Sequence, residues 1–271
     1  MSRVIKPIKR IFIFLVSVLT SSLGLSSPGF AQIGASNKGL ELFLNSKTTV
    51  YWAKYLTDDR ELNWNGGTRV KFDLVRYEGG SLYLFGDIET LIERSKNIST
   101  FNPQKVHYTI EPGLREEVAG GELRIALNHQ RKHDQDRFDG FTERWNTLAI
   151  GFIREGKVKD VALLRGEISL GKMIGKADVD YNREVAVGFT LHPLKKGLLP
   201  HFAANLRVVS TDGSLSERGG FLDWFVEVGV KLREGNGGIV GFAQYLRLND
   251  VDHCGGRVED LGMLGVRFEL R

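Results

Sequence analysis

Apolar and polar residues alternate with a period of two along most of the chain from about residue 68 to its C-terminal end. In 104–117, Val106, Tyr108, Ile110, Pro112 and Leu114 hold one parity, while His107, Thr109, Glu111, Gly113 and Arg115 hold the other. In 221–233, Leu222, Trp224, Val226, Val228, Val230 and Leu232 are set against Asp223, Phe225, Glu227, Gly229, Lys231 and Arg233. The segments 179–191, 200–210 and 262–270 behave alike. This period puts alternate side chains on opposite faces of a strand. Ordinary strands run about 5–6 residues. These runs reach 10 to 14, near the ~9–11 that a tilted strand needs to cross a bilayer.

The connections alternate as well. Short Gly-containing turns occur at Glu78-Gly79-Gly80, Val118-Ala119-Gly120, 156–159 and Glu234-Gly235-Asn236. Longer polar stretches lie between them at 57–67, 93–104, 132–143, 211–220 and 250–257. A short loop at 174–178 and a longer turn at 192–199 blur the pattern. Short turns at one end and long loops at the other is the plan of outer-membrane barrels. Eleven strands read directly: 68–77, 81–92, 105–117, 121–131, 144–155, 160–173, 179–191, 200–210, 221–233, 237–249 and 258–270. The first of them ends in a short turn, so an upward strand must precede it, and Lys47–Leu56 is the candidate. The fold class is therefore all-β: an antiparallel transmembrane β-barrel of twelve strands, or ten if a weaker segment fails. A soluble periplasmic β-sandwich or lipocalin-like binding barrel is the alternative, because a sheet with one dry face alternates too.

Gly265-Val266-Arg267-Phe268-Glu269-Leu270 resembles the C-terminal assembly signal of outer-membrane proteins, although the chain ends in Arg271 rather than an aromatic residue and Met263 replaces the usual polar residue. The wider resemblance, to the outer-membrane barrel class, spans about 47–271. It implies insertion by the barrel-assembly machinery and contact with outer-membrane lipids and lipopolysaccharide. The N-terminal end agrees. Arg3, Lys6, Lys9 and Arg10 precede the apolar run Ile11–Thr20, and Gly29 and Ala31 suit a signal-peptidase site. The run is about half the ~20 residues of a spanning helix. The expected organisation is a signal peptide over 1–31, a mature chain from Gln32, an N-terminal periplasmic segment over 32–46 and a barrel over 47–271.

Charge adds two constraints. Lys plus Arg number 37 against 33 Asp plus Glu. Four of the basic residues lie in the leader, and the rest of the chain is neutral, which excludes a nucleic-acid partner. The parity opposite the apolar one predicts a lumen carrying Arg69, Lys71, Arg115, Arg124, Arg165, Arg207, Lys231, Arg247 and Arg267 beside Asp73, Asp87, Glu89, Glu111, Glu122, Glu167, Glu184, Glu227 and Glu269. Equal numbers on adjoining strands predict cross-strand ion pairs. They predict no excess of one sign, as a selective pore would show. Trp64 and Trp145, at predicted strand ends, are expected in an aromatic girdle.

The candidate chemistry is one cluster, Asn128-His129-Gln130-Arg131-Lys132-His133-Asp134-Gln135-Asp136. A hairpin centred near Ala119-Gly120 sets His107 opposite residue 132, so His107, His129 and His133 are expected to meet Asp134 or Asp136 at the outer rim. Imidazole with carboxylate suits a divalent metal or a general base, so a rim metal is the one cofactor candidate. Lys132, Arg131 and Arg137 oppose a cation. The segment loosely resembles a His-x3-His-acidic stretch in uncharacterised outer-membrane barrel families, which carries no established activity. His129, His133 and Asp136 are the catalytic candidates of an outer-leaflet lipid or lipid A hydrolase, with His107 and Asp134 as ligands at the rim. Such hydrolases pair a Ser with a His on the outer wall, and no Ser at a fitting spacing appears. His253-Cys254 is a weaker metal signal. A structural or narrow passive-transport barrel is favoured over the enzyme.

Overall fold

The computed structural model describes residues 41–57, 62–92, 103–134, 142–158, 161–175, 177–194, 197–215, 219–234, 236–249 and 258–270. Twelve antiparallel strands close into a barrel: β1 Glu41–Tyr55, β2 Trp64–Tyr77, β3 Gly80–Ile92, β4 Pro103–Val118, β5 Gly121–Asp134, β6 Thr142–Val158, β7 Ala162–Ile174, β8 Tyr181–Pro193, β9 Gly197–Thr211, β10 Gly220–Glu234, β11 Gly237–Leu248 and β12 Glu259–Leu270. Each strand pairs with its neighbours in sequence, and β1 closes on β12 from Thr48↔Leu270 to Tyr55↔Met263. Closure leaves no edge strand. The twelve strands predicted from parity are all present.

Turn chemistry sets one end of the barrel. Gly79 and Gly120 take φ of 83° and 76°, a left-handed conformation that only glycine adopts at little cost. The other end carries the longer loops. β1 starts at Glu41 rather than Lys47. A register shift between Leu44 and Lys47 interrupts its pairing with β2, and a bulge destroys the period of two on which the sequence signal rests.

The wall is apolar outside and polar inside. Val50, Ile88, Ile110, Ile150, Leu170, Val228 and Leu264 are all exposed on the outward parity. So continuous an apolar surface is what hydrocarbon requires and water disfavours. Inside, the side chains interlock. Gly265 is one case: a Cβ there would lie 2.5 Å from Phe242 Cζ and 2.8 Å from Ala53 Cβ, so only glycine lets β12 close with Phe242 in place.

Two expectations about facing are corrected. Arg247 points outward, across from Asp260 at 3.6 Å. It shares the parity of Ile239 and Tyr245, both exposed, so parity governs its direction and charge does not. Trp145 points inward and is 2% exposed. Its neighbours at ±1, Arg144 and Asn146, hold the outward parity, and Thr147, two residues on, is fully buried. Trp64 does stay on the outer wall, 5.7 Å from the Trp52 ring.

Candidate functional site

Ion pairs line the lumen in arcs. Arg69 meets Asp87 at 2.9 Å, and Arg115 bonds Asp73 while reaching Glu122 at 3.6 Å. Arg124 meets Glu167 at 2.7 Å and approaches Glu111 at 3.9 Å. Arg165 meets Glu155 at 3.3 Å and Glu167 at 3.6 Å. Arg207 joins Glu184 at 2.8 Å and Asp223 at 3.4 Å. Lys231 bonds Glu269. Arg267 donates to Glu227 at 2.6 Å and to Glu269 at 3.2 Å. Lys71 lies over the Tyr83 ring, 4.5 Å from its centroid. These pairs connect residues on the same, neighbouring or next-but-one strands. Among the described residues none reaches the opposite wall, so the charges hug the sheet rather than cross the lumen. Among the cavities of the lumen, two, of about 270 and 380 Å³, share Tyr55, Glu89 and Leu248 in their linings.

The larger cavity borders a buried carboxylate. Glu227, with its side chain 4% exposed, accepts from Arg267 and lies 2.7 Å from His201 Nε2. His201 sits between Leu199 and Ala203 on the inward parity of β9, a signal the alternation carried but the list of charges overlooked. The smaller cavity, toward the loop end, is lined by Trp145, His107, Lys132, Tyr181 and Arg207. His107 stacks on Trp145 at 5.9 Å with planes 22° apart, and Tyr181 meets Trp145 edge-on.

The histidines of the rim cluster separate. His107 pairs with Lys132 across β4 and β5, as the hairpin predicted, and both face the lumen. His129 and His133 have the opposite parity and face outward. A sheet therefore stands between His107 and the other two. His133 contacts Thr142 Oγ1 at 2.9 Å and Tyr108 Oη at 3.5 Å. Asp134 ends β5, with its Cα paired to that of Lys105. Asp136 lies outside the described residues, as do His253 and Cys254. Among the described residues no three His, Cys, Asp or Glu side chains are grouped to hold a metal ion.

His129 has a partner that spacing did not suggest. Its Nδ1 lies 2.8 Å from Asn146 Oδ1, directly across the β5–β6 ladder. The two strands are joined by a long loop, so their register was not legible. An amide holding one ring nitrogen fixes the ring and leaves Nε2 to act on something else, as a base with an orienting group does. The outward neighbours of His129 include Leu127 and Arg131 along the strand and Ile110, Tyr108 and Leu148 on the flanking strands. None of these is a Ser, Thr or Cys, and the one hydroxyl among them is the Tyr108 phenol. Thr109 and Thr147 have the inward parity, and Thr147 is fully buried.

No protein-family model matches this sequence, and no curated protein sequence does either. Solved structures do. Outer membrane phospholipase A from Escherichia coli aligns with TM-score 0.54 at 10% identity, over 85% of this chain and 98% of that one. The calcium-bound dimer of the Salmonella typhi outer membrane phospholipase aligns with TM-score 0.51 at 10% identity, over 87% and 94%. The fold is that of an outer-membrane β-barrel. Identity this low carries the fold and no activity.

Proposed function

We propose that this chain is a bacterial outer-membrane barrel with a structural or narrow passive-transport role. It is exported with signal cleavage after Ala31, inserted by the barrel-assembly machinery, and oriented with its long loops outward. The observation that carries the proposal is the lumen. Its arginines and carboxylates neutralise one another along the wall, from Arg69–Asp87 at 2.9 Å to Arg267–Glu227 at 2.6 Å. That leaves small cavities without a ring of one sign. A selective pore needs such an excess, whereas a paired wall keeps the interior hydrated and rigid. Planar-bilayer recording tests this. A small or absent, weakly selective current is expected. A large current with strong anion or cation preference would refute it.

An outer-leaflet lipid hydrolase is the alternative, and one contact favours it: His129 Nδ1 to Asn146 Oδ1 at 2.8 Å on the outward wall. Two fold neighbours also bear the name phospholipase. Against it stands the ring of neighbours around His129, where a Ser, Thr or Cys nucleophile is missing among the described residues. A covalent acyl-enzyme route needs that nucleophile beside the base. Phospholipid and lipid A mass spectra from cells with wild-type protein, with the His129→Ala variant and without the gene decide the matter. Identical spectra are expected. Products lost only in the variant and the deletion would establish the hydrolase.

A further inference from the structure

The outward columns of β5 and β6 change character together at the loop end. On β5 the column runs Ile125, Leu127, His129, Arg131, and on β6 it runs Ile150, Leu148, Asn146, Arg144. Ile125, Leu127, Leu148 and Ile150 are exposed apolar side chains. Arg131 and Arg144 are direct cross-strand partners. Like charges so placed repel and destabilise a sheet unless an anion lies between them. Arg144 gives its Nε to Asp178 at 3.2 Å, and its side chain is still 65% exposed. Arg131 Nε finds no hydrogen-bond partner among the described residues. The next hairpin repeats the arrangement, with Lys172 directly opposite Arg183, both exposed. The loop end of the other half of the barrel differs. There Trp52 and Trp64 pack together on β1 and β2, Trp224 and Tyr245 do so on β10 and β11, and Arg247 is matched by Asp260.

We propose that Arg131 and Arg144 clamp a phosphate of the phosphorylated, multiply acylated glycolipid of the outer leaflet, with its acyl chains lying along Ile125, Leu127, Leu148 and Ile150. Guanidinium groups bind phosphate through paired N–H donors, and a lipid supplies that anion at the height where the apolar column ends. A soluble anion gains nothing from the apolar columns below, which is why the occupant is a lipid. Lys172 and Arg183 extend the same cationic arc along β7 and β8. The inference rests on the membrane orientation proposed above.

The test uses full-length protein, refolded in detergent and shown to be folded by heat-modifiable gel migration. Its affinity for bis-phosphorylated lipid A is measured by native mass spectrometry. At about 1 kcal/mol for each cation near a lipid phosphate, the Arg131→Gln/Arg144→Gln variant should bind about 30-fold more weakly. The Arg247→Gln variant should bind as wild type does. The Arg131→Lys/Arg144→Lys variant keeps the charge without the fork and should fall between them. It also serves if the Gln variant misfolds. Equal affinity in all four proteins overturns the clamp. So does equal binding of fully dephosphorylated lipid A, or of phosphatidylglycerol, and so does full displacement by millimolar inorganic phosphate. A protein recovered in the aqueous fraction without detergent would instead overturn the membrane orientation, a failure that fractionation distinguishes from loss of the clamp.

Discussion

Arg267→Met should weaken the barrel far more than Arg247→Met, although both remove one arginine from the last hairpin. Arg267 donates to Glu227 at 2.6 Å and to Glu269 at 3.2 Å, and the Glu227 side chain is only 4% exposed. Removing the cation strands that carboxylate in the wall, which costs roughly 3–5 kcal/mol for a buried pair. The adjoining cavity of about 380 Å³ has both polar and apolar side chains in its lining, with Asn65, Gln244 and Glu269 among the polar ones, and is roomy enough for water. His201 also remains 2.7 Å from Glu227. Both lower the loss to the bottom of that range, about 3 kcal/mol. Arg247 and Asp260 are 43% and 44% exposed at 3.6 Å, where a pair is worth about 0–1 kcal/mol. Urea unfolding of the refolded protein, followed by tryptophan emission and gel migration, reads both. At a slope of about 2 kcal/mol/M the Arg267 variant should lose about 1.5 M in midpoint, and the Arg247 variant less than about 0.5 M. Equal shifts would mean that the lumen is as wet as the outer rim, and the account of paired wall charges would fall. Restoring stability with Arg267→Met/Glu227→Gln would confirm that the stranded charge is the cause.

Brominated acyl chains in the host bilayer should quench Trp52, Trp64 and Trp224 but spare Trp145, which is 2% exposed and inward. A Trp145→Phe variant that removes lipid-quenched emission would contradict the facing assigned to β6. Gly265→Leu should block closure of β1 on β12, since a Cβ there already lies 2.5 Å from Phe242 and 2.8 Å from Ala53. Loss of the fast-migrating folded band is the expected result, with overpacking worth about 1–3 kcal/mol or more, and normal migration would refute it. His129→Ala should leave the folded band and the urea midpoint within about 0.5 kcal/mol of wild type, because its ring lies on the outer wall. A larger loss would make the contact with Asn146 structural.

Strand number, facing and closure were legible because a membrane barrel repeats one local rule. Each side chain meets either lipid or lumen, and parity records which. Arg69, Asp87, Glu111, Arg115, Arg124, Arg165, Glu167, Glu227 and Arg267 pair along the inner face, the parity opposite the lipid-facing one. Arg247 and Trp145 depart from their expected faces: Arg247 shares the outward parity of Ile239 and Tyr245, and Trp145 the inward parity of Thr147. The early start of β1 was hidden by a bulge, which resets parity without leaving any mark in composition.

Register between strands joined by long loops belongs to the tertiary structure alone. The sequence set His107 opposite Lys132 because a tight turn counts residues for the two strands it joins. It could not set His129 opposite Asn146 or Arg131 opposite Arg144, because the connection between β5 and β6 is long and fixes no count. Parity by itself separates His107, on the inner face, from His129 and His133 on the outer one. The alternation determined what each residue faces. The closed barrel decided which residues meet, and so why a histidine found an amide, an inward arginine found two carboxylates, and two outward arginines were left facing each other.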